Sequence, residues 1–162
     1  ADEVSSSIGL GKSDLVVRHG NDVTFTKLDS YDNIPEYIGD KILEYKSKGY
    51  KTIAIISKTN LLSCYINDDL KEKNINIPNV SIDDDVSEFE VCTISNQLAK
   101  GLEFDAVIIN NASEQIYSSK NKLDMKLLYV AITRALHELD IIYTDELTMP
   151  LKKNLDKHEK TK

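Results

Sequence analysis

One stretch of the chain places a glycine where the backbone can approach a bound group closely, and a second ends in an arginine suited to gripping phosphate. The first, Gln-Leu-Ala-Lys-Gly-Leu-Glu-Phe-Asp at residues 97–105, puts Gly101 just ahead of an apolar run that reaches Ile109. A glycine there lets the backbone pass close to a bound group. Lys100 and Glu103 flank it with opposite charges. The plainer reading is a loop entering a strand, with Lys100 and Glu103 as a weak surface pair. The second stretch, Leu-Leu-Tyr-Val-Ala-Ile-Thr-Arg-Ala-Leu at residues 127–136, carries Arg134 at the end of an apolar helical pattern. Arginine presents a planar fork of donors that holds phosphate oxygens at two points, which lysine does not reproduce. Arg18 and Arg134 are the only arginines among 20 Lys and Arg residues, so the placement of Arg134 favours phosphate contact. A cation that bonds the last carbonyls of its own helix would use the same position, and both readings stand at this point.

Other candidates fail on spacing or context. Gly-Leu-Gly-Lys-Ser at residues 9–13 imitates a phosphate loop, but Ser6 stands where that loop needs its first glycine, and no strand precedes it. No Gly-x-Ser-x-Gly nucleophile elbow occurs. The acidic run at 83–85 lacks the alternation and glycine of a calcium loop. Cys64 and Cys92, with His19, His137 and His158, are too few and too scattered for a metal cluster or a disulfide framework, so no metal site is expected. His137 and His158 read as surface residues rather than catalysts. The charge of −7 argues against a surface that binds nucleic acid throughout, while allowing a local basic patch.

The elements that must position these groups follow from periodicity. Residues 1–13, rich in Ser and Gly, read as a flexible segment, and residues 15–17 and 23–26 as the arms of a hairpin. Ile34, Ile38, Ile42 and Tyr45 recur at helical spacing within 32–48, and Gly49 ends that helix. The apolar run at 52–56 predicts a strand covered on both faces. A helix over 60–73, strands at 80–82, 89–94 and 104–109, a helix over 124–136 and a strand at 139–143 complete the pattern. A lysine-rich tail follows from 147 to 162. Strands alternating with amphipathic helices imply an α/β domain with a mainly parallel sheet, whose ligands are expected at the carboxyl ends of the strands. With 162 residues and 41% hydrophobic content the chain fits one globular domain. No apolar run is long enough to cross a membrane, and the start lacks a signal-peptide pattern, so a cytoplasmic location is expected.

The blocks at 98–105 and 127–135 together resemble motifs V and VI of the UvrD/Rep branch of superfamily 1 helicases. Ser-Lys-Thr-Asn at 57–60 resembles the motif IV region, so the resemblance covers roughly 14–144. It implies a RecA-like domain of the P-loop NTPase type over 14–146, the second of two in an ATP-driven motor. In that family the phosphate loop and the magnesium ligands lie on the first RecA-like domain, so ATP with Mg²⁺ would bind between the two, and this chain alone should be inactive. By the resemblance, Arg134 is the motif VI arginine that reaches the ATP γ-phosphate. Gly101 and Glu103 lie beside the nucleotide, Glu103 toward the ribose. Lys58 stands where many relatives place a second γ-phosphate arginine; the exchange keeps the charge and loses the fork. Ser95 and Gln97 occupy the positions of a Thr-x-His that contacts single-stranded DNA. That departure, and the lack of room for an inserted domain between 60 and 93, look most like the HelD or helicase IV-type subgroup. The resemblance therefore leaves an alternative, an ATPase that remodels RNA polymerase. A second is a non-catalytic nucleotide- or nucleic-acid-binding module.

Overall fold

The computed structural model describes residues 22–153. The expected flexible segment, the first hairpin arm, the phosphate-loop mimic, Arg18 and His158 lie outside those residues. Nine main elements follow in order: β1 (Asp22–Leu28), α1 (Ile34–Ser47), β2 (Ile53–Ser57), α2 (Asn60–Glu72), β3 (Val91–Ser95), α3 (Asn96–Ala99), β4 (Phe104–Ile109), α4 (Lys122–Ile132) and β5 (Ala135–Thr144). The strands form one sheet in the order β1-β5-β4-β2-β3. Every pairing in it is parallel. The strand expected as the second hairpin arm is β1, and its described partner is β5, in parallel.

The sheet is covered on both faces, which is why β2 is buried along its whole length. Ala54, Ile56, Ile94, Val107, Ile109, Leu139 and Ile141 face α4 through Met125, Leu128 and Ala131. Ile53, Ile55, Ala106, Ile108 and Ile142 face the opposite layer, built by α1 and α2. The α1 stripe of Ile34, Ile38, Ile42 and Tyr45 is buried as its spacing predicts. Each such side chain gains about 2 kcal/mol from leaving water. Thr59 caps α2 by accepting from the Leu62 amide, and Asn121 caps α4 by accepting from Leu123 and Asp124.

Three boundaries differ from the sequence pattern. First, α4 ends at Ile132 and β5 starts at Ala135, so residues 135–136 belong to the strand. The Thr133 hydroxyl donates back to the Tyr129 and Val130 carbonyls and closes the helix, while Phe104 pairs with Ala135. Second, residues 80–82 form no strand. A single bridge joins Asn79 to Thr93, and Ile82 is 80% exposed. Third, the packed body does not end at 146. Leu147, Thr148 and Leu151 are buried, and the Thr148 hydroxyl donates to the Ala112 and Tyr117 carbonyls.

Candidate functional site

The predicted residues fall into two groups, one at each end of the strands. Gly101, Glu103 and Arg134 precede β4 and β5, so they lie at the amino edge of the sheet. This differs from the carboxyl-end location expected for ligands. The reason is that both motif-bearing loops lead into strands rather than out of them. Gly101 sits at φ +84°, a backbone region that L side chains rarely adopt, and a Cβ there would meet nothing within 4 Å. That turn lets the Leu102 amide bond the Ala99 carbonyl and brings the chain to Phe104, whose amide donates to the Arg134 carbonyl at 2.9 Å. The two sequence blocks thus meet through the backbone. Lys100 and Glu103 are both exposed and form no ion pair with each other.

Arg134 lies in the turn after α4 rather than on the helix. Its Nε donates to the Val130 carbonyl at 3.1 Å, and its Nη2 donates to the Thr133 hydroxyl at 3.1 Å. The helix-closing reading of this arginine is therefore realised. The Nη1 edge has no partner among the described residues. The two readings are compatible, because a guanidinium carries five N–H donors in a fork and its other edge can still meet an anion. Beside this group, Asp105 accepts from the Lys51 and Thr52 amides and fixes the entry of β2 against β4. His137 stacks on Tyr50 at 5.7 Å and lies 3.9 Å from Asp105.

The second group, Lys58, Ser95 and Gln97, follows β2 and β3 at the carboxyl edge. The Lys58 ammonium is held inside the domain. It pairs with Asp124 at 2.7 Å and donates to the Ile116 carbonyl at 2.7 Å. About 12 Å of helix rise separates Asp124 from Ile132, the last residue of α4 before the turn that carries Arg134, so Lys58 is bound at the opposite end of that helix. The Ser95 hydroxyl is buried and accepts from the Leu98 amide as the cap of α3. Gln97 is exposed. Asn96 between them is buried, donating to the Tyr117 hydroxyl at 2.8 Å. Among the described residues no three of His, Cys, Asp and Glu are grouped to hold a metal ion. No helix of the described residues is long and apolar enough to cross a membrane.

Sequence reading missed the partners that fix this framework. Asp124 was visible as an acid in the first turn of an apolar helix, but its pairing with Lys58 spans the fold. Asp105 was visible only as part of the Lys-Gly-Leu-Glu-Phe-Asp block.

Residues 81–146 match the UvrD-like helicase C-terminal domain. The matched segment holds Ser95, Gln97, Gly101, Glu103 and Arg134 and leaves out Lys58. No curated protein matches the chain in sequence. Among solved structures, the chain resembles the C-terminal domain of a possible DNA helicase from Lactobacillus plantarum WCFS1. The identity is 25%, the TM-score 0.72, and the alignment covers 93% of this chain and 87% of that one. The helicase domain of Hef from Pyrococcus furiosus aligns at 13% identity and TM-score 0.46, over 78% of this chain and 27% of its own. With its all-parallel sheet and two helical layers, the chain is an α/β RecA-like domain.

Proposed function

We propose that the chain is the second RecA-like motor domain of an ATP-dependent superfamily 1 helicase or translocase. Its amino edge would complete an ATP site whose phosphate loop and Mg²⁺ ligands lie on the first RecA-like domain. The observation that carries this reading is the hydrogen bond from Phe104 N to Arg134 O, which unites the two motif-bearing turns within the matched segment.

On this reading the Nη1 edge of Arg134 meets the γ-phosphate and stabilises the charge that develops during phosphoryl transfer. Because Arg134 is anchored to Val130 and Thr133, it is preorganised, and hydrolysis depends on closure of the two domains around ATP. The turn at Gly101 brings the backbone near the nucleotide, and the exposed Glu103 carboxylate accepts a hydrogen bond from the ribose. Gln97, exposed at the carboxyl edge, contacts the single-stranded DNA track. Ser95 serves Gln97 indirectly, by capping the short helix that carries it. Lys58, paired with Asp124 and the Ile116 carbonyl, holds α4 in place.

Arg134→Ala in the parent protein tests the reading. DNA-stimulated ATP hydrolysis should fall by at least about 10³-fold, the scale of an arginine that meets the transferring phosphoryl group. Turnover at the wild-type rate would overturn the assignment. A tailed duplex in the same assay separates the helicase from the HelD-type alternative, because an ATPase directed at RNA polymerase hydrolyses ATP without unwinding it.

A further inference from the structure

A cleft of about 270 Å³ opens at the carboxyl edge, beside Ile116, whose carbonyl accepts from Lys58. One wall is a face of α2, with Leu62, Tyr65, Ile66 and Asp69 at helical spacing; the other is the start of α1 with Tyr31. Asn110 and Asn111, just past β4, line it as well. Tyr31 and Tyr65 are 52% and 55% exposed, so two phenol rings stand at the opening rather than in the core. Asn111 holds φ +62°, a left-handed conformation that an asparagine tolerates. Burial first, and then the acidic charges of Glu72, Asp68 and Asp32, hold the Asp69 carboxyl above the usual carboxylate range.

These features select an occupant. An aromatic rim around an apolar floor suits a flat group that stacks, and a nucleobase would satisfy that alone. A nucleic-acid strand brings phosphates, and the Asp69 carboxylate in the lining, with the charges of Glu72, Asp68 and Asp32 that act on it, repels them. A guanidinium satisfies both demands: it stacks on tyrosine faces and pairs with carboxylates. Its aliphatic stem would lie on Leu62 and Ile66. The chain itself is a poor source, since it carries two arginines, one of them anchored at the amino edge, and a charge of −7 that opposes self-association. We propose that this cleft docks an arginine side chain, with apolar flanks, from a segment of a separate partner protein.

The probe is a capped pentapeptide alternating leucine and arginine, titrated into the ¹⁵N-labelled chain. Saturable shifts should centre on Tyr31, Tyr65, Asn110 and Asn111. A peptide with citrulline in place of arginine keeps the shape and loses the charge, and should bind at least fivefold more weakly. The double variant Tyr65→Ala, Asp69→Asn changes two exposed positions and should weaken the arginine peptide by a similar factor while leaving the spectrum of the core unchanged. Equal binding of the citrulline peptide, shifts that centre elsewhere, or no saturable binding would each overturn the proposal. So would an oligothymidylate that occupies the same residues, or a dimer by sedimentation that the double variant abolishes.

Discussion

At Gly101 the backbone takes φ +84°, yet the space a side chain would fill is empty. A substitution there is opposed by conformation alone, at about 1–2 kcal/mol for a residue forced into the left-handed region. Gly101→Ala should therefore lower the unfolding free energy by about 1 kcal/mol in urea, with the denaturant slope unchanged. An unchanged midpoint would mean that the turn relaxes into another conformation and that glycine is not required. Single residues of this kind were legible in the sequence because their type is unusual where they stand. Gly101 precedes an apolar run, and Arg134 is one of two arginines in a lysine-rich chain. Ser95 was legible as a polar group but not as a buried one. Its hydroxyl caps α3, and burial is a property of what packs around a residue rather than of the residue.

Between elements, the Lys58–Asp124 pair joins the carboxyl end of β2 to the first turn of α4, the helix whose far end carries Arg134. Both partners are largely shielded, with side chains 23% and 9% exposed. Asp124 also accepts from the Ser118 amide, and Lys58 also donates to the Ile116 carbonyl, so the loop before α4 hangs on the same two groups. Lys58→Met leaves the Asp124 carboxylate short of its cation and should cost about 1–3 kcal/mol by urea denaturation. Adding Asp124→Asn should recover part of that loss, because it removes the uncompensated charge. Additive losses in the double variant would show that the two side chains act independently. Periodicity made the helices and the buried strands visible, since α1 shows its Ile34, Ile38, Ile42 stripe and β2 is apolar throughout. It did not show at which end of the sheet each motif would lie. That depends on strand direction and order, which emerge from pairings such as Phe104 with Ala135. For the same reason only the fold shows that Lys58 follows β2 while Arg134 precedes β5.

On the scale of the whole domain, one buried acid links three elements. Asp140 on β5 is fully buried. It accepts hydrogen bonds from the Thr26 hydroxyl of β1 at 2.9 Å and from the Tyr37 hydroxyl of α1, and the Lys41 ammonium of α1 lies 3.9 Å away. Burial dominates and raises its pKa above the ordinary carboxylate range, while the hydrogen bonds from Tyr37 and Thr26 and the charge of Lys41 oppose the rise. The folded state therefore holds the Asp140 proton more tightly than the unfolded chain does. Its contribution to stability is fully present below the ordinary aspartate range and is lost as pH rises through the raised folded value. Glu44 is shifted the opposite way by Lys41, but it is exposed and its effect is screened. Asp140→Asn keeps a hydrogen-bonding group of the same shape and removes the ionisation. Whatever offset the substitution adds, the variant should gain on the wild type as pH rises from about 4 to about 7, read as the difference between their urea midpoints. A difference that stays constant across that window would mean that Asp140 ionises in the fold as readily as in the unfolded chain. The junction of β1, α1 and β5 would then be solvated rather than dry.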